Sequence, residues 1–139
     1  MFARDRAMPA QFGEVVPDDV IRTWLPRATQ RCMVELLATA VAFKTFKDYL
    51  ANKTVLLLVD AEAVEGALVK GYSARSDLCE LTGVFWDIVL DLKSLVYIDR
   101  VPTDANCSDG SSRDKLWIGQ AVGWKTVPAQ WPLQVLFKV

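Results

Sequence analysis

The sequence has no histidine. That absence removes Ser-His-Asp and Cys-His nucleophilic catalysis, together with every histidine-containing zinc site. What remains is chemistry built on carboxylates, lysine or cysteine. Cysteine is itself scarce: Cys32, Cys79 and Cys107 are odd in number, far apart and never arranged as C-x-x-C. This argues against a disulfide framework and a zinc ribbon, and reads as buried or inert thiols of an intracellular protein. No apolar run reaches the roughly 18 residues that a membrane span needs. The N-terminal MFARDRAMPAQ carries charge without the apolar core of a signal peptide. A soluble intracellular chain with no membrane partner is the expectation, and nothing in the sequence separates nucleus from cytoplasm. An excess of charge of one sign is also lacking. The 16 basic and 17 acidic residues nearly cancel, so composition gives no global electrostatic reason to expect polyanion binding, and any nucleic-acid contact has to be local.

What is present is apolar and ordered. The 139 residues are 52% hydrophobic, enough for one domain with a real core. After an irregular lead-in with Pro9, Gly13, Pro17 and Pro26, in which Phe12 to Val16 could form an edge strand, Met33, Leu36, Leu37, Ala40, Val41, Phe43 and Phe46 recur at helical spacing. A long helix over about 28–50 is expected. Thr54 to Val59 is an unbroken β-prone run, which predicts a strand covered on both faces. Ala61 to Lys70 reads as a short helix stopped by Gly71. Ser76 and Asp77 are N-cap candidates for a second long helix that keeps its period to about Lys93. Leu95 to Val101 alternates as a further strand. A polar loop follows Pro102, and a tail with Trp117, Trp124, Pro128, Trp131 and Pro132 ends the chain, with at most one helical turn near Lys115. Strands alternating with helices predict an α/β architecture with two or more parallel strands. The chain divides into a lead-in (1–26), a core (27–113) and a tail (114–139).

Three carboxylates stand out. Asp60 directly follows a presumptive parallel strand, the edge where open α/β sheets place ligands, although an aspartate there also serves as a plain N-cap. Glu35 lies in an apolar helix, where a charge needs a partner, a metal or an exposed stripe. On a helical wheel it groups with Thr39 and Ala42, a weakly polar strip consistent with simple exposure. Asp109 falls in Asn106-Cys107-Ser108-Asp109-Gly110, which also reads as an ordinary turn. Three such groups on separate elements have one joint chemical use, the holding of two Mg²⁺ ions about 4 Å apart around a scissile phosphate.

The order and wording of these segments resemble the ribonuclease H domain of retrotransposon reverse-transcriptase polyproteins, of Ty3/gypsy-like or DIRS-like type. The resemblance rests on Glu35-Leu36-Leu37-Ala38, Val59-Asp60-Ala61-Glu62-Ala63, Lys70-Gly71-Tyr72-Ser73, Phe85-Trp86, Arg100-Val101-Pro102-Thr103 and Asn106 to Arg113, and covers about 13–113. It implies a ribonuclease H-like mixed sheet flanked by helices. It also implies Glu35, Asp60 and Asp109 as catalytic and metal-binding carboxylates, Mg²⁺ or Mn²⁺ as cofactor, and an RNA–DNA hybrid as substrate, with Arg113 as a backbone-phosphate contact. Such a hybrid is read by shape and 2′-hydroxyls more than by base sequence.

The chain departs from the family pattern where it matters most. The family's first aspartate, on the opening strand, has no counterpart: Asp5 has no strand pattern around it, and Asp18 and Asp19 follow Pro17. The first hairpin is missing by this reading, unless a partner chain supplies it. Ala61 stands where the family commonly has Asn, and Ser111 where it often has Pro. Loss of a metal ligand and its supporting strands implies impaired catalysis. The alternative is a non-catalytic tethering domain that binds nucleic acid or protein, with the tail tryptophans either stacking on bases or covering the open side of the sheet.

Overall fold

The computed structural model describes residues 2–4, 9–13, 16–102 and 125–132. Asp109, Arg113, Trp117, Trp124 and the proposed turn near Lys115 lie outside them. After strands β1 (Phe2–Arg4) and β2 (Pro9–Gln11) and a single turn α1 (Asp18–Ile21), the first long helix is α2 (Arg31–Thr45). Its buried positions Met33, Leu36, Leu37, Ala40, Val41 and Phe43 are those the spacing predicts. The helix is shorter than expected at both ends. Residues 27–30 are held in a polar clasp described below, and Phe46 leaves helical geometry (φ −98°, ψ 22°) before the single turn α3 (Lys47–Leu50). The break seats the Phe46 ring in the core, 5.9 Å from that of Phe12.

Strand β3 (Thr54–Val59), helix α4 (Glu62–Lys70), helix α5 (Ser76–Leu92) and strand β4 (Leu95–Arg100) follow at nearly the expected bounds. Gly71 ends α4 at φ +81°, a left-handed conformation that glycine adopts without strain. Strands β3 and β4 are parallel, from Thr54 opposite Leu95 to Val59 opposite Arg100. Each strand is entered through a left-handed residue, Asn52 (φ 59°) or Lys93 (φ 54°). The two entry turns are bonded to each other. Asn52 N donates to Leu92 O (2.8 Å), Ser94 Oγ to Leu50 O (2.5 Å) and Leu95 N to Lys53 O (3.0 Å). These bonds fix the register before the strands begin.

The core lies between this pair and the helices. Phe85 of α5, fully buried, meets Phe43 of α2 edge-on with centroids 4.9 Å apart, and the Trp86 ring at 5.1 Å. Trp86 Nε1 donates to Leu68 O (3.1 Å), tying α5 to α4. Leu57 and Val59 are buried, and Val55, Val96 and Ile98 pack against the same core. The opposite face corrects the expectation of a strand covered on both sides: Leu56 is 65% exposed, and Leu58, Leu95 and Tyr97 are exposed as well. The described helices pack on one face only, so among the described residues no apolar layer covers the alternate side chains.

The architecture is therefore mixed α/β, with a parallel two-stranded sheet and helices. The strands do not form one mixed sheet among the described residues. Strands β1 and β2 pair antiparallel, and β2 pairs in parallel with β5 (Lys125–Thr126), a strand the sequence did not reveal. A strand forms at Pro9–Gln11; of the edge strand expected over Phe12 to Val16, residues 14–15 lie outside the described residues, Gly13 and Val16 are not in a strand, and Phe12 enters the core instead. The tail packs back onto the core: Val127, Ala129 and Trp131 contact it, and Gln130 N donates to Thr45 Oγ1 (2.8 Å). Within the described residues, no helix is long and apolar enough to cross a membrane.

One polar clasp holds the lead-in to the helices. Asp77, which the sequence offers as an N-cap, lies inside α5 and is buried; the N-cap position is Arg75, with no side-chain cap. The Asp77 carboxylate takes two bonds from Arg27, Nη1 to Oδ2 (2.7 Å) and Nη2 to Oδ1 (2.6 Å), and one from Leu25 N (3.0 Å). Arg27 also donates to Gln30 Oε1 (3.0 Å), which delays the start of α2. Chiefly through Arg27, the Asp77 carboxyl is held down at about 2. Breaking a buried pair leaves an uncompensated charge, and Arg27 keeps some solvent contact at 16% side-chain exposure. Arg27→Ala should therefore cost about 3 kcal/mol in urea unfolding, the low end for such pairs. In the wild type, the stabilisation from Asp77 should be complete above pH 3.8 and lost as pH falls toward 2, and Asp77→Asn should remove that part of the acid dependence.

Candidate functional site at the carboxyl end of the parallel strands

The carboxyl end of β3 delivers Asp60 into a tight strand-to-helix turn, and α2 passes beneath it with Glu35. Glu35 Oε1 accepts hydrogen bonds from Asp60 N (2.9 Å) and Ala61 N (3.4 Å), so one carboxyl oxygen holds the turn that leads into α4. Asp60 is not the N-cap of α4. That position is Ala61, which has no capping side chain, and Glu35 supplies from another element the acceptor that a local Ser or Asp commonly provides. The Asp60 carboxyl lies close enough to Glu35 to act on its charge.

The strip that suggested exposure is buried. Thr39 is fully buried and Ala42 nearly so, while Thr39 Oγ1 donates to Glu35 O (2.9 Å). Glu35 therefore sits half-buried on the inward side of α2. Burial first, and the hydrogen bond and negative charge of Asp60 next, push its carboxyl up to about 7. Two carboxyls in contact, one of them poised near neutrality, can share a proton or give it up to a hard cation.

Arg100 ends β4 opposite Val59, and its Nη1 lies 3.4 Å from Glu62 Oε2 in an exposed pair. Such a pair adds little stability but places a cation beside the acidic turn. Lys70 and Arg75, the other basic residues near the site in sequence, are exposed. Thus the structure brings together two of the three expected carboxylates, Glu35 and Asp60. The third, Asp109, and the expected phosphate contact Arg113 fall outside the described residues. Among the described residues, no group of three or more acidic, cysteine or histidine side chains is placed to hold a metal ion. Cys32 and Cys79 are free and half-buried.

Sequence reasoning missed the backbone role of Glu35 and the Arg27–Asp77 pair. A clue to the first was Ala61 in the cap position, which leaves the turn without a local acceptor. The second spans 50 positions and leaves no local signature. No family model, curated protein or solved structure matches the chain.

The raised Glu35 carboxyl has a signed consequence for stability. A carboxyl whose folded value lies above its unfolded one binds more protons in the folded state, so stability falls as pH rises from about 4.5 to about 7. Glu35→Gln keeps an amide oxygen for the turn and removes the charge. Thermal unfolding at pH 5 and pH 8 should show the wild type losing stability relative to Glu35→Gln across this interval. Parallel melting temperatures for the two proteins would mean that Glu35 does not titrate there.

Proposed function

We propose that the chain is a ribonuclease H-like domain derived from a retroelement reverse transcriptase, with an ancestral reaction of metal-dependent RNA hydrolysis in RNA–DNA hybrids. The observation that carries this reading is the meeting of Glu35, from the helix, with Asp60, at the end of a parallel strand, as the resemblance implies. The residues suit a hard divalent cation, because both donors are carboxyl oxygens and the Glu35 proton is readily surrendered near neutral pH. Glu35 and Asp60, with Asp109 by resemblance, would hold Mg²⁺ or Mn²⁺. Bound there, the metal would supply activation of water and neutralisation of charge at the leaving oxygen.

The protein's own contribution is positional. The Glu35 bonds to Asp60 N and Ala61 N fix the turn, and burial beneath it keeps the carboxyl pair in a medium where charge interactions are strong. Arg100 is close enough in the fold to face a backbone phosphate. The reading includes impaired catalysis, because the family's first aspartate has no counterpart among these residues: β1 and β2, which do pair as a short antiparallel hairpin, carry no aspartate.

A second reading has its own observation. Glu35 already serves a structural purpose in the turn, which fits a non-catalytic tethering domain that keeps the scaffold and binds nucleic acid or protein. Metal dependence separates the two. Purified protein titrated with Mn²⁺ and then given a labelled RNA–DNA hybrid should bind the ion with weakened affinity and cleave slowly or not at all. Glu35→Gln and Asp60→Asn should each lower ion affinity by at least about tenfold, since loss of even a group that only supports a metal ligand costs that much. Binding that neither substitution changes, or no binding at all, would sink the metal reading and leave the tethering one.

A further inference from the structure

Parallel pairing sets Arg100 of β4 opposite Val59 of β3, and residues paired in this way project from the same side of a sheet. Val59 is buried, and Val96 and Ile98 pack against the same core. Arg100 is next in the period of two, so it leaves the strand end on the helix side, from which α2 brings Glu35 to the turn. Val101 N donates to Val59 O (2.8 Å), which keeps the strands paired past this point and fixes where the arginine starts. Asp60 directly follows Val59. A guanidinium thus stands at the rim of the acidic turn, on the edge where open α/β sheets place ligands.

Among the described residues, Arg100 pairs with Glu62 in the first turn of α4, through Nη1 at 3.4 Å from Oε2. The contact is a single one, although a guanidinium presents a fork of N–H groups that matches two oxygens of a carboxylate or a phosphate. Both side chains reach solvent, Arg100 at 49% and Glu62 at 86%. A pair of this kind is worth little and opens readily. The buried arginine of the chain shows the contrast, because Arg27 takes both oxygens of Asp77, at 2.7 and 2.6 Å. The fork of Arg100 is held loosely, at a position fixed by the strand register.

We propose that Arg100 anchors a backbone phosphate of the RNA–DNA hybrid, and that Glu62 competes with that phosphate for the guanidinium. The inference rests on the ribonuclease H-like reading and adds to it a substrate anchor and a built-in competitor. In the free protein Glu62 occupies the fork. When the hybrid binds, two phosphate oxygens take the fork and Glu62 turns into solvent, so one ion pair is exchanged for another. A polyanion that approaches Glu35, Asp60 and Glu62 meets like charge, and Arg100 offsets it at the point of contact.

Fluorescence anisotropy of a labelled RNA–DNA hybrid, at low salt and with a chelator present, measures the affinity of the full chain without metal. Arg100→Gln should weaken binding about tenfold and lower the slope of log affinity against log salt by about one. Arg100→Lys keeps the charge and loses the fork, so it should weaken binding while keeping the slope. Glu62→Gln should tighten binding about two- to fivefold, the scale of an exposed pair, and this gain should vanish when Arg100→Gln is also present. Lys47→Gln removes an exposed positive charge at the opposite end of the strands and should change affinity far less. No binding by the wild type, a loss in Arg100→Gln no larger than in Lys47→Gln, or a Glu62→Gln gain that persists without Arg100 each overturns the proposal. Mn²⁺ titration of the same proteins is a separate readout. Metal binding that depends on Glu35 and Asp60, without hybrid binding through Arg100, overturns the anchor and leaves the metal reading. Hybrid binding through Arg100 with no metal binding upholds the anchor and sinks the metal reading.

Discussion

The constraint on which the rest depends is the bonding between the two helix-to-strand turns. A parallel pair cannot be closed by a tight hairpin, so its register has to be set from outside the strands. Two residues in left-handed geometry, Asn52 and Lys93, start β3 and β4 side by side, and the bonds from Asn52 N and Ser94 Oγ hold the turns together. With that register set, Val59 and Arg100 end level with each other, and the acidic turn and the Arg100–Glu62 pair follow from it. Slippage by one residue would turn Leu57 and Val59 out of the core.

Polar groups within the fold act as fasteners between segments distant in sequence. Asp77 joins α5 to the lead-in through Arg27 and Leu25, and Glu35 joins α2 to the start of α4. The two carboxyls are shifted in opposite directions for physical reasons that are easily separated. A guanidinium meets one and holds it ionised, whereas burial and another carboxyl act on the other and favour its protonated form. The first is a source of stability at neutral pH. The second costs stability there, a feature associated with functional sites as well as with strained structural networks.

That cost bears on how the functional reading is weighed. A residue selected only to hold the strand-to-helix turn could be a neutral glutamine, which would accept the same backbone hydrogen bonds without a buried charge. A glutamate in contact with Asp60 suits a site where a cation once balanced the pair. The metal chemistry is our proposal, and the contact between Glu35 and Asp60 is the observation in this chain that supports it.

Local sequence determined most of the elements. The helical spacing of Met33 to Phe43, the β-prone run Thr54 to Val59, Gly71 as the stop of α4 and the alternation after Leu95 each point to the element that forms, because each depends on periodicity or on one residue's backbone freedom. Asp60 and Glu35 were also legible as candidate residues, from a strand end and from a charge in an apolar helix. The tertiary structure alone decided that these two meet, that Asp77 binds Arg27 rather than capping a helix, and that β5 joins β2. It also decided that the outer face of β3 is exposed, which an apolar run cannot reveal. Each of these depends on which distant segments share a neighbourhood, and neither periodicity nor a single side chain carries that information.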